Sequence, residues 1–233
     1  MFAERSNQKE IMDDLTYVGE VVIQTLKELK IINKWLGGNK VTIKGFSKLL
    51  QNKKHQTLSV ADLGCGGGDM LQEIAKWGRK KKYSFQLTGI DANEFIVQYA
   101  RENTSRFKEI DFQSLNIFSN EFRNQQFDII TCTLFMHHFN NQELITMLRQ
   151  LKDQAHKGIV INDLHRHWFA YYSIKWITQS FSKSSMVKND APISVLRGFR
   201  KADWLGILQK AGIKHYTITW KWAFRWMIVI TCD

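Results

Sequence analysis

The sequence predicts an α/β fold: a mostly parallel sheet of seven strands, with helices on both faces. Three observations carry this reading. From Leu58 onward, five short apolar runs alternate with stretches of helical periodicity. A glycine cluster, Gly64 to Gly68, lies where the first run meets the first helix, and two adjoining strand-like runs close the chain. Strands buried on both faces read as near-continuous apolar runs, and Phe127 to Leu134 has that character.

Before the alternation begins, Ile11, Leu15, Val18, Val22, Leu26, Leu29 and Leu36 keep a three-to-four-residue spacing, which predicts a helix stopped at Gly37-Gly38. A second segment, Val41 to Leu50, leads into the polar stretch Gln51 to Gln56. Residues 1–56 therefore read as an N-terminal helical extension or cap, and 57–233 as the main domain. In that domain Leu58–Leu63 is a buried strand, followed by a helix over Asp69–Trp77. Phe85–Ile90 is the second strand, ending in Asp91, with a helix over Asn93–Glu102. Ile110–Leu115 and Phe127–Leu134 are the third and fourth strands, and Asn140 with Glu143 forms a capping box for the next helix. Gly158–Leu164 is the fifth strand.

Residues 165–198 interrupt the pattern with a lid-like insertion rich in aromatic and basic groups. A helix over Ala202–Lys210, stopped at Gly212, leads to strands at Ile213–Trp220 and Phe224–Thr231. Their short connection requires antiparallel pairing.

Composition narrows the function. The 233 residues are 44% hydrophobic and 24% charged, which excludes a disordered chain. No apolar run approaches the ~18 residues of a membrane span, and MFAERSNQKE has no apolar core of a secretory leader. Cys65, Cys132 and Cys232 match neither a disulfide framework nor a zinc spacing. A reducing, cytoplasmic setting is expected. The net charge of +11 favours acidic partners, nucleic acid or an anionic membrane surface. The basic residues are nevertheless scattered, and only Arg79 to Lys82 forms a run.

The glycine cluster reads Asp62-Leu63-Gly64-Cys65-Gly66-Gly67-Gly68-Asp69. Glycines let the backbone turn sharply and approach a ligand closely. The dinucleotide fingerprint needs a sixth-position glycine, where this chain has Asp69, a carboxylate that would oppose a pyrophosphate at the helix start. Asp91, at the end of the second strand, is placed to accept hydrogen bonds from ribose hydroxyls. The pair calls for a nucleoside ligand without a phosphate tail.

These residues, DLGCGGG with GID at 89–91, closely resemble the class I S-adenosylmethionine-dependent methyltransferases over about residues 57 to 231. The resemblance implies a Rossmann-like sheet with S-adenosyl-L-methionine as cofactor and S-adenosyl-L-homocysteine as product. It places Asp62, Gly64, Cys65 and Gly66 at the methionine end, Asp91 on the ribose and Ala92 beside the adenine. Asn116, followed by Ile117, stands where the family often has an adenine-binding Asp. Cys132 and Thr133 would face the methionine portion.

Methyl transfer needs the acceptor held in line, water excluded and, for some nucleophiles, a proton removed. Candidate bases lie at the carboxyl ends of the fourth and fifth strands: His137, His138 and Asp163. Either histidine can instead cap the next helix, and Asp163 with Arg166 can orient the acceptor or pair with each other. His165, Arg166, Tyr172 and Trp176 are candidate acceptor contacts. The aromatic stretch 168–181 packs on the core, lines a hydrophobic acceptor pocket, or touches a membrane with help from Lys175, Lys183 and Lys188.

Other chemistries lack their residues. The loop Thr133-Leu134-Phe135-Met136 is not the Asn/Asp-Pro-Pro-aromatic motif of base-amino methylation, and Pro192 precedes Ile193 rather than a cysteine. Asn162-Asp163 resembles metal-dependent catechol-type enzymes, but Cys132-Thr133 offers no carboxylate for a hard cation, so metal independence is expected. Glu10 to Asp14, Ile32 to Gly38, Asn162 to Arg166 and Asn189 to Pro192 resemble a bacterial subgroup that methylates small phenolic or polyketide-like molecules. The expected activity is O-methylation of a small aromatic or lipophilic acceptor. An RNA- or ribosome-directed methyltransferase and a catalytically silent cofactor-binding module are the alternatives.

Overall fold

The computed structural model describes residues 2–50 and 57–232. The predicted polar stretch 51–56, and with it the boundary between extension and domain, lies outside the described residues. In chain order the elements are α1 (Glu20–Trp35), α2 (Gly38–Leu49), β1 (Thr57–Leu63), α3 (Asp69–Lys81), β2 (Ser84–Asp91), α4 (Glu94–Thr104), β3 (Ile110–Ser114) and a short α5 (Asn120–Arg123). They continue with β4 (Phe127–Thr133), α6 (Asn141–Gln154), β5 (Ala155–Leu164), α7 (Trp168–Phe181), α8 (Ser185–Arg197), α9 (Lys201–Lys210), β6 (Tyr216–Lys221) and β7 (Arg225–Thr231).

The sheet runs β3-β2-β1-β4-β5-β7-β6, parallel except for β7, which is antiparallel to both of its neighbours. The seven strands and the closing antiparallel pair match the α/β expectation. The strand order reverses between β1 and β4, and a crevice opens there at the carboxyl ends of the strands. Alternation along the central strands builds a core on each face. Ile130, Cys132, Ile159 and Ile161 pack with α6 and α9 residues such as Leu148 and Trp204. Val60, Ile129 and Val160 pack with Phe46, Leu71 and Val97 on the other face. Helix α2 comes so close to β5 that a Cβ at Gly45 would stand 2.4 Å from Val160 Cγ1.

Two expectations need correction. The first helix begins at Glu20, not near Ile11, because Gly19 turns the chain at φ 88°. Before it, Ile11–Asp13 form a single 3-10 turn, and the rest of the segment is a strap across the crevice. The insertion after β5 holds two helices, and in α8 a proline inside the helix and mixed polarity mask the helical periodicity. No helix of the described residues is long and apolar enough to cross a membrane.

Candidate active site

A cavity of about 1500 Å³ occupies the crevice, floored by the glycine loop and roofed by the strap, α1, α7 and the β6–β7 hairpin. The loop is stapled to β2, since the Gly64 and Cys65 amides donate to the Ile90 carbonyl at 2.8 and 3.2 Å. Gly64 has φ 64°, and a Cβ there would lie 2.1 Å from the Phe135 ring, so no other residue fits the turn. Asp91 Oδ2 accepts the Gly66 amide at 3.2 Å and Oδ1 the Asn93 amide at 3.1 Å. Burial raises the Asp91 carboxyl above its ordinary range.

Asp62 is buried, its Oδ1 makes no hydrogen bond, and it borders the cavity. Burial, aided by the neighbouring charge of Asp91, pushes its carboxyl up to about 8. An orphaned buried carboxyl oxygen beside an open glycine loop is a seat for a cationic group. The sulfonium and amino groups of S-adenosylmethionine fit it. Ala92, Asn116, Ile117 and Thr133 also border the cavity, as expected. The Asn116 carbonyl oxygen already accepts the Phe118 amide at 2.9 Å. Cys65 lines the floor, and burial keeps its thiol protonated. Cys132 does not reach the cavity, because its side chain falls on the core face of β4 beside α6.

At the carboxyl ends of β4 and β5 the candidate bases come together. His137 Nδ1 lies 2.8 Å from Asp163 Oδ1, and both side chains are almost fully buried. Asp163 also accepts the Met136 amide at 2.8 Å and the His137 amide at 3.3 Å, which locks the 3-10 turn Met136–His138 onto β5. Burial works against charge on Asp163, but the His137 ring and the Leu164 amide hold its carboxyl below the usual range. On the other side His137 Nε2 stands 3.6 Å from Glu10 Oε1, and burial pushes Glu10 up to about 7. His138 Nδ1 is 2.5 Å from Asp13 Oδ1, and Asp13 also binds Arg197.

Glu10 and Asp13 fall in a stretch that carries the bacterial-subgroup resemblance, but nothing in the sequence marks them as site residues. They belong to the strap, and only the folded chain brings them to residues more than 120 positions away. Among the described residues, Glu10, His137 and His138 form one group whose donor atoms, all within 4.8 Å of one another, are compact enough for a metal ion.

The acceptor contacts expected after β5 divide. His165 lines the cavity, and burial together with the positive charge around it lowers its ring to about 4, so it is neutral near pH 7. Arg166 is turned away and buried. It donates to the carbonyls of Gly198, Phe2 and Ala3 at 2.6, 3.1 and 3.2 Å and pairs with Asp203 at 3.0 Å. Its role there is to anchor the strap. Tyr172 and Trp176 are also corrected, since they point to solvent while Phe169, Ser173, Ile174 and Ile177 of α7 line the cavity. Residues 168–181 are helical, and the inward face of that helix lies roughly one residue round from Tyr172 and Trp176.

Comparison with known proteins agrees with this geometry. The family model described as "Methyltransferase domain" matches residues 54–212. A carboxy-S-adenosyl-L-methionine synthase of Campylobacter jejuni is 27% identical over 182 residues, covering 71% of this chain and 73% of that protein. Among solved structures, a plantazolicin methyltransferase in complex with a triazolic analogue and S-adenosylhomocysteine superposes with a TM-score of 0.65 at 17% identity, covering 90% of each chain. Magnesium protoporphyrin IX methyltransferase of Synechocystis superposes at 0.57 with 15% identity, covering 94% of this chain and 88% of that one. With the glycine loop, Asp91 and the strand order already in place, the chain belongs to the methyltransferase domain family, and it is an enzyme of the class I S-adenosylmethionine-dependent superfamily.

Proposed function

We propose that the protein transfers the methyl group of S-adenosylmethionine to an oxygen of a small aromatic or lipophilic acceptor in the cytoplasm, without a metal ion, and that His137 takes the acceptor's proton. One observation supports this above the rest: the buried row Asp163, His137, Glu10, of which His137 and Glu10 line a mainly apolar cavity that also holds the glycine loop.

When bound, S-adenosylmethionine supplies an electrophilic methyl carbon on a positively charged sulfur. Asp62 and the Gly64 and Gly66 backbone hold the methionine end, Asp91 the ribose, and Ala92 and Ile117 the adenine. Asp163 keeps the proton on His137 Nδ1, which leaves the Nε2 lone pair for a hydroxyl proton. Glu10, titrating near neutrality, accepts that proton in turn. The strap excludes water above the reacting atoms. His165, neutral, and Phe169 orient the acceptor's ring.

Metal independence rests on the company of the three clustered donors. Asp163 and Asp13 engage only the Nδ1 of each histidine, so the decisive neighbour is Arg197, whose Nη1 stands 3.6 Å from Glu10 Oε1, where its charge opposes a second cation.

The test is a methylation assay on phenol, quinol and lipid-alcohol panels with EDTA present. Turnover of a phenol or quinol that is lost in His137→Ala supports the reading. Turnover only after magnesium or zinc is restored overturns metal independence. Methylation confined to RNA, with binding that falls steeply in salt, favours the nucleic-acid reading. Consumption of S-adenosylmethionine to a carboxylated product without an acceptor favours the activity named for the Campylobacter relative. Cofactor binding with no turnover favours a silent module.

A further inference from the structure

Helix α7 is the least explained element of the fold. One face, with Phe169, Ile174 and Ile177, lines the cavity, while the adjoining face carries Trp168, Tyr172 and Trp176 into solvent at 56%, 55% and 66% exposure. The only charged residue in its fourteen is Lys175. A helix this apolar is expected to be covered on both faces.

The exposed face does not end with the helix. Phe181, 74% exposed, sits against Trp176 with ring centroids 6.0 Å apart. At the other end, Phe169 meets Phe224 at 5.8 Å, and Phe224 meets both Trp220 and Trp222 of the β6–β7 hairpin at 6.0 Å. Trp222 is 67% exposed and lines the cavity mouth. Half of the large apolar side chains exposed among the described residues belong to this one helix and hairpin. Contiguous patches of that kind mark an interaction surface.

Charge identifies what covers it. Residues 164–232 hold eleven Lys or Arg against Asp190 and Asp203; Arg166, Arg197 and Arg225 among them are buried, which leaves eight basic groups at or near the surface. Both acidic groups are engaged: Asp190 accepts the amides of Ile11 and Met12, and Asp203 pairs with Arg166. Lys175 and Lys183 are exposed beside the aromatic face. The Glu28 carboxylate at the α7–α8 turn is taken up by the Ser182 hydroxyl and the Lys183 and Ser184 amides. Exposed tryptophans and phenylalanines flanked by lysines are the chemistry of the interface between lipid headgroups and acyl chains.

We infer that α7 and the β6–β7 hairpin seat this enzyme on an anionic lipid surface, with the cavity mouth facing the membrane. The docked face and the lining of the entrance are the same two elements, so a lipophilic molecule leaving the bilayer passes Phe169, Phe224 and Trp222 without crossing water. The inference stands independently of the acceptor proposed above.

The experiment is flotation of the full chain with vesicles of phosphatidylcholine, alone and mixed with phosphatidylglycerol, at low and high salt. The expected result is strong binding to the mixed vesicles, weak binding to phosphatidylcholine alone, and loss of the difference at high salt. The double variant Trp176→Ser/Phe181→Ser should bind at least tenfold more weakly. Its melting temperature and affinity for S-adenosylmethionine should match the parent, because neither ring touches the cofactor floor. Lys175→Glu/Lys183→Glu should abolish the preference for phosphatidylglycerol. Absence of flotation, or equal flotation of the aromatic double variant, overturns the inference. A stable dimer that the same double variant dissociates, or binding to an RNA oligonucleotide without binding to vesicles, overturns it equally.

Discussion

Asp190, in the middle of α8, accepts the amides of Ile11 at 2.8 Å and Met12 at 3.0 Å. Through this bidentate contact the 3-10 turn carrying Glu10 and Asp13 hangs from the insertion helix rather than from the sheet. Asn93, the cap of α4, holds the strap a second time by donating to the Leu15 and Tyr17 carbonyls.

Asp190→Ala removes two charge-assisted hydrogen bonds and leaves both amides unpaired. It should cost about 2 kcal/mol of stability and reduce turnover more than tenfold, because Glu10 and the roof lose their position. Thermal unfolding and an initial-rate assay read the two effects. Full activity would show that the strap closes without this contact.

Asp62 makes cofactor binding depend on pH. Its carboxyl, raised to about 8 in the folded protein against 3.8 ordinarily, binds a proton on folding. Its contribution to stability in the free enzyme is therefore present below about pH 4 and lost as pH rises towards 8. A cationic ligand that needs the ionised carboxylate does the reverse: affinity for S-adenosylmethionine should rise from pH 6 to 8, by up to about tenfold per unit, with proton release on binding. Calorimetry in buffers of different ionisation enthalpy detects the released proton. Asp62→Asn should bind more weakly and release none from this site.

His137 and Asp163 should fail together. Asp163→Asn frees His137 to adopt the wrong tautomer and unpins the Met136–His138 turn. Turnover should drop by 10² to 10⁴, the usual worth of general-base catalysis, with His137→Ala and the double variant falling to the same floor. The cofactor's dissociation constant should change far less, because neither side chain reaches the glycine loop. Additive losses in the double variant would separate the two residues. Glu10→Gln should remove the acidic limb of the pH–rate profile near pH 7, since Glu10 accepts the proton only when ionised and burial raises it to about 7.

Arg166→Met tests structure against binding. The guanidinium satisfies three carbonyls and Asp203 in a buried position, and its loss should cost about 3 kcal/mol of stability. Denaturant unfolding measures it. A variant of wild-type stability with a raised KM for acceptor would return Arg166 to the acceptor site.

The glycine loop, Asp62 and Asp91 were legible in the chain because each depends on short-range geometry: a strand, a turn that demands glycine, a helix, and a carboxylate at the tip of the next strand. The class of the sheet followed from the same local periodicities, and so did the antiparallel ending. His137 and Asp163 could be named as candidates because strand ends can be counted. Their contact could not, since it depends on how β4 and β5 register across 26 positions. Glu10, Asp13, the anchoring role of Arg166 and the outward face of α7 had no local signature. They arise from contacts between segments far apart in sequence, where burial and the orientation of a helix about its axis set which side chains meet and which face water.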